Sequence, residues 1–66
     1  MEPVKMIWDS DYDYQIVELT GNTNQIGQPE VKFLSGLLTN TIGYIRPDEL
    51  IEYTDINLNQ TMIKYK

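Results

Sequence analysis

The sequence predicts an all-β fold, a small barrel or sandwich of five to six short strands with one short 3₁₀ or helical turn near residues 47–52. Three observations predict it. The chain has 66 residues, enough for one domain spanning 1–66 and no more. Its β-branched and aromatic residues fall in short runs separated by clusters of Gly, Pro, Asn and Ser, the pattern of short strands and tight turns. The segment Pro47-Asp48-Glu49 puts proline at a first helical position with acids in the first turn, which favours a brief helical interruption.

Val4 to Trp8 is an apolar run that suits a first strand. Asp9 to Asp13 is polar at alternate positions, and Tyr14 to Leu19 resumes as a β-prone stretch. Gly21 to Pro29 collects turn formers, with glycines able to take positive φ, and reads as a surface loop. Val31 to Leu34 is the next strand, ended by Ser35-Gly36. Leu37-Leu38 leads into Thr39-Asn40-Thr41, which suits a hairpin turn. Ile42 to Ile45 is a further strand, with Gly43 at a bulge or a close approach. Pro47 stops it, because proline donates no ladder hydrogen bond. Tyr53 to Leu58 and Thr61 to Tyr65 read as one or two closing strands.

The stretch Val31-Lys32-Phe33-Leu34-Ser35-Gly36, followed by Ile42-Gly43-Tyr44-Ile45-Arg46-Pro47-Asp48-Glu49-Leu50-Ile51, resembles the second half of SH3-like small β-barrels. The resemblance covers about a third of the chain. It implies that Gly43, Ile45, Pro47, Leu50 and Ile51 sit where a strand ends, a 3₁₀ turn carries an apolar residue into the core, and a last strand closes the barrel. Arg46 is an insertion relative to that pattern. Tyr12-Asp13-Tyr14 is similar to the start of the peptide-binding members, which grip proline-rich helices. The paired tryptophans of those members are missing, since Trp8 is the only one. Such barrels host many unrelated activities, so the likeness bears on fold more than on function.

A chain this short has a marginal core and usually needs a staple. There is no cysteine for a disulfide and no histidine, and carboxylates alone rarely build a structural zinc site. Tight β packing, self-association or a partner must serve instead, so a homo-oligomer is one expectation. No window approaches the roughly 18 apolar residues of a membrane span, and Met1 to Lys5 lacks the features of a signal peptide. A cytoplasmic protein without membrane contact is expected.

The formal net charge is −5, and its distribution is uneven. Residues 6–30 and 47–63 contain acids but no Lys or Arg. Phosphate-backbone binding needs clustered cations, so direct nucleic-acid binding is not expected. Without His or Cys, the commonest general base and the thiol nucleophile are both lacking. Ser10 and Ser35 have no evident activating partner, and Asp9 with Glu18 are the best carboxylate pair for acid–base work in a chain with little interior to hide one. No enzyme activity and no cofactor are expected.

The most distinctive segment is Trp8-Asp9-Ser10-Asp11-Tyr12-Asp13-Tyr14. In an extended strand the aspartates would face solvent while Tyr12 and Tyr14 point inward, and edge charges would discourage unwanted pairing. An EF-hand reading fails, because its sixth and twelfth positions, which need Gly and Glu, are Tyr14 and Thr20. As a recognition surface, the tyrosines would supply rigid contact area and the carboxylates would steer a basic protein partner. Trp8, Asp9, Asp11, Tyr12, Asp13, Tyr14, Asp48, Glu49 and Glu52 are the candidate partner-binding residues. The function expected is a protein-interaction or regulatory module. Its size and its abundance of Asn, Ile and Thr suit an accessory protein of a bacterial virus or prophage. The alternative is an inhibitor of a nucleic-acid enzyme that acts by DNA mimicry, with rows of carboxylates in place of phosphates.

Overall fold

A computed structural model of the chain describes residues 4–10 and 12–65. It is mostly β: one five-stranded antiparallel sheet and one helix. The strands are β1 (Val4–Asp9), β2 (Tyr14–Thr23), β3 (Pro29–Phe33), β4 (Ile42–Tyr44) and β5 (Leu50–Glu52), with a 3₁₀ turn at Pro47–Glu49 and helix α1 at Asp55–Lys64. Their order in the sheet is β4-β3-β2-β1-β5. The first four form a meander of hairpins, and β5 returns to the far side of β1, with Trp8 opposite Leu50 and Ile7 opposite Ile51.

Period-two alternation sorts the strands onto two faces. On the first face, Val17, Val31, Phe33 and Ile45 are buried together, and Met6, Trp8, Leu19 and Leu50 pack around them. The register explains the grouping: Met6 lies opposite Val17, Val17 opposite Phe33, and Leu19 opposite Val31. Gly43 lies opposite Val31, and a Cβ there would come within 3.3 Å of the Phe33 ring. A side chain at Gly43 would therefore press on the ring, which would have to give by a few tenths of an ångström. Trp8 and Phe33 meet at 5.5 Å between ring centroids.

The second face carries Ile7, which is wholly buried, with Ile16 and Ile51 opposite it on the flanking strands. Helix α1 lies on this face. Thr54 caps it by accepting a hydrogen bond from Asn57 N, which satisfies one of the orphan donors of the first turn. Thr54, Asn57, Leu58, Thr61 and Tyr65 are the covered positions, spaced as one helical stripe. Ile56 and Ile63 lie on the opposite, exposed side.

Two expectations are corrected. The sheet is open, not a closed barrel: β4 and β5 are its two edges, separated by three strands. The closing strands expected at Tyr53 to Leu58 and Thr61 to Tyr65 are instead α1, ten residues long. Isoleucine, threonine and tyrosine raise β propensity locally, but capping and the tertiary contacts of the helix override it. The first four strands fall close to where the sequence puts them, and β2 runs further into the expected loop, to Thr23. The helical turn expected near 47–52 is confined to Pro47–Glu49, because Leu50–Glu52 pairs with β1 as β5. No helix among the described residues is long and apolar enough to cross a membrane.

Candidate functional site

At one end of the sheet, two turns separated in sequence stand side by side. The first joins β1 to β2. It is closed by Ser10 N donating to the Asp13 carbonyl at 3.0 Å and by Asp13 N donating to Ser10 Oγ at 3.2 Å. Tyr12 projects from its tip, 94% exposed. The second joins β3 to β4 and holds Leu37, which is fully exposed at 103%, and Leu38. Its shape is fixed by Thr39 N donating to the Gly36 carbonyl, Thr41 N donating to that of Leu38, and Asn40 N donating to that of Phe33. Asn40 takes a positive φ of 71°, which asparagine tolerates better than most residues.

Between the turns lies a groove of about 500 Å³, lined by Trp8, Ser10, Tyr12, Asp13, Gln15, Gly36, Leu37 and Leu38. Trp8 and Gln15 are cross-strand partners and form its floor. The Trp8 indole N–H donates to Glu49 at 2.9 Å. Gly36 has a φ of 80°, and a Cβ there would meet the Gln15 side chain at 2.0 Å. The positive φ is what favours glycine here, since the Gln15 amide is the far end of a flexible side chain and could move aside. Gln15 Oε1 is buried and has no hydrogen-bond partner among the described residues.

The first turn is braced from behind by the end of α1. Lys64 Nζ lies 3.0 Å from the Asp9 carboxylate, and the Tyr65 hydroxyl is in hydrogen-bond contact with both Asp9 and the Ser10 carbonyl. The Tyr65 bond, with Lys64 adding to it, holds the Asp9 carboxyl below its ordinary value against some desolvation. The same contact raises the Tyr65 phenol and, with Asp9 again the main cause, the Lys64 ammonium. The Tyr65 ring stacks on Tyr14 at 6.2 Å. Those rings, with Asn59, Met62 and Ile63, border a second concavity of about 570 Å³ on the helix side.

The residues singled out in the sequence therefore divide. Trp8, Tyr12 and Asp13 meet in the groove. Asp9 and Tyr14 belong to the other face of the sheet and serve to hold α1. Asp11 lies outside the described residues. Asp48 pairs with Arg46 at 3.1 Å, which lowers its carboxyl pKa. Glu49 reaches both Trp8 and Arg46, while Glu52 is exposed at the end of β5. Tyr12 does not point inward as the alternation predicts, because the turn at Ser10–Asp13 interrupts the strand. Asp9 is not a solvated edge charge; its side chain is only 21% exposed. Asp9 and Glu18 do not form a pair: their cross-strand partners are Tyr14 and Lys5.

Gln15, Leu37 and Leu38 were not anticipated as site residues. Two adjacent leucines between Gly36 and a Thr-Asn-Thr turn were the available signal, since a tight turn cannot bury both. Among the described residues no cluster of acids is arranged to hold a metal ion. Comparisons with protein-family models, curated protein sequences and solved structures found no match.

Proposed function

We propose that this chain is a non-enzymatic protein-interaction module that engages its partner through the groove between the β1–β2 and β3–β4 turns. One observation carries this reading. The two most exposed large apolar side chains among the described residues, Leu37 and Tyr12, flank the same groove over a tryptophan floor. Exposed apolar groups gathered in one place mark binding surfaces, and an aromatic floor is a frequent anchor point in interfaces. Both walls are hydrogen-bonded turns, so little ordering entropy remains to be lost on binding.

The partner that suits the groove is a protein segment presenting an apolar side chain beside a cation. Asp13 lies on the groove wall, the neighbouring sequence is acidic, and carboxylates of this kind steer basic partners. DNA mimicry is less well supported. Asp9 and Asp48 are paired with Lys64 and Arg46, and Glu30 accepts hydrogen bonds from Thr20, Asn22 and Tyr44. Carboxylates so occupied make a poor row of phosphates. The four-strand meander, the 3₁₀ turn and the return of β5 beside β1 support reading the sheet as an opened relative of the SH3-like barrels. A cytoplasmic accessory role, in a bacterial virus or prophage, is part of the same proposal.

The test uses the single tryptophan as its reporter. Peptides selected on the immobilised protein from a random-sequence display library would be titrated while Trp8 fluorescence and amide shifts are followed. Binding should perturb Trp8, Tyr12, Gln15 and Leu37, and Tyr12→Ala or Leu37→Ser should weaken it by about tenfold or more, as for an interface hot spot. Peptides that shift only α1, or that bind both variants unchanged, would refute the reading.

A further inference from the structure

The two edges of the sheet are finished differently. On β5, the chain itself uses the open backbone groups: Leu50 N donates to the Pro47 carbonyl, and the Glu52 carbonyl accepts from Asn57 Nδ2 at 2.9 Å. Proline precedes this strand and glutamates border it, the usual devices against edge-to-edge pairing. On β4, Phe33 N donates to the Thr41 carbonyl and Ile45 N donates to that of Pro29. Backbone direction alternates along a strand. Thr41, Gly43 and Ile45 therefore turn toward β3, while the N–H and C=O of Ile42 and Tyr44 point away from the sheet. Among the described residues nothing bonds them. The strand Ile42-Gly43-Tyr44 carries no charge, no proline and no bulge, and Ile42 and Tyr44 are 59% and 49% exposed.

From this contrast we infer that β4 pairs antiparallel with β4 of a second copy of the chain, about a two-fold axis at Gly43. That register sets Ile42 opposite Tyr44 of the other copy, and Tyr44 opposite its Ile42. Both are hydrogen-bonded pairs, which matches the outward direction of their N–H and C=O groups. The two Gly43 residues meet at the centre as a non-hydrogen-bonded pair, where strands approach most closely and a glycine removes the crowding. Each pair is β-branched against aromatic, a favourable cross-strand combination.

Charge agrees with the register. Within each copy Lys32 is opposite Ile42, and Glu30 is opposite Tyr44. A row across the junction therefore reads Lys32, Ile42, then Tyr44 and Glu30 of the second copy. Every row ends in one cation and one anion, with no like charges facing. Any other register of these strands loses either the paired backbone groups or this complementarity. The junction is short, so the dimer is weak and forms as concentration rises. It leaves the proposed groove of each copy open, and it does not depend on that reading.

Sedimentation velocity on the full chain across a concentration series is the test. The wild type should shift from monomer to dimer. Ile42→Lys/Tyr44→Lys puts like charges opposite each other across the junction and should raise the dissociation constant by about tenfold or more. It also makes the net charge less negative, so general repulsion between copies cannot explain the loss. Ile42→Glu/Tyr44→Lys leaves the net charge unchanged, places opposite charges across the junction and should restore dimerisation. Amide exchange on the wild type needs no variant. The Ile42 and Tyr44 N–H groups should gain protection with concentration, while that of Gly43, facing β3, stays protected throughout. A wild type that remains monomeric overturns the inference. So does a dimer that survives Ile42→Lys/Tyr44→Lys and is lost on Ile63→Ser, which would assign it to the outer face of α1.

Discussion

The two faces of this sheet are covered by different physics. On one face the cover is apolar throughout: Val17, Val31, Phe33 and Ile45 exclude water, and Trp8, Met6, Leu19 and Leu50 close the rim. On the other, Ile7 is the fully buried apolar residue, and the helix above it is fastened by polar contacts. Lys64 and Tyr65 grip Asp9, and Asn57 holds the Glu52 carbonyl. Its two isoleucines, Ile56 and Ile63, point away from the sheet. Burial is insensitive to pH and salt, whereas charge pairs are not. The first face should thus set global stability, and the second should set whether α1 stays docked.

The largest break is expected at Phe33. Phe33→Ala removes a buried ring that contacts Trp8 and lies over Gly43, and it should cost about 3–5 kcal/mol. In a domain this small that is a large part of the total, so thermal melting by circular dichroism should show a chain mostly unfolded at 37 °C. If Phe33→Ala melts like the wild type, the first face is not the foundation of the fold.

Asp9 tests the second face. Its carboxyl pKa is lowered in the folded state, so the stabilisation it gives is complete above its unfolded value of roughly 3.9. That stabilisation is lost as pH falls through the lower folded value. Acidification from pH 5 to pH 2 should release α1 before the sheet melts, seen as faster amide exchange confined to 55–65. Asp9→Asn should show the loosened helix already at pH 7, with a smaller fall in melting temperature than Phe33→Ala and a flatter response to acid. A helix whose exchange is indifferent to both changes would place its anchor elsewhere. The smallest effect belongs to the outward side: Ile63→Ser, at a residue 73% exposed, should change stability by no more than about 0.5 kcal/mol in a denaturant titration.

The same division explains what could be read from the sequence. Strands β1 to β4 sit on runs of β-branched and aromatic residues between strong turn formers, and the Pro-Asp-Glu start of the 3₁₀ turn is a local signal. Helix α1 hid because its inward stripe, Thr54, Asn57, Leu58, Thr61 and Tyr65, is mostly polar while Ile56 and Ile63 lie outside. An apolar period of 3.6 had nothing to register. Thr54-Asp55 was the one local clue, a capping residue followed by an acid. Openness of the sheet is a matter of curvature and of how far β4 stands from β5, which no local pattern encodes.

The groove was half legible. The aromatic and acidic segment from Trp8 to Tyr14 marked one wall, but the turn inside it decides which side chains share a face. Trp8 and Gln15 share one, and Asp9 and Tyr14 share the other. The opposite wall, Leu37 and Leu38, comes from a turn far along the chain and could be located only once β2 and β3 were paired.

The pairing of β1 with β5 also has a kinetic meaning. Every other ladder joins strands that follow each other in the chain, the kind of contact that forms quickly because little loop entropy is lost. Ile7 opposite Ile51 is the long-range exception. A chain whose meander has formed while β5 and α1 are not yet docked leaves Ile7 and its face bare to water. The segment that docks across the longest loop is thus the one that seals this face, and the meander without it is the most aggregation-prone state of the fold.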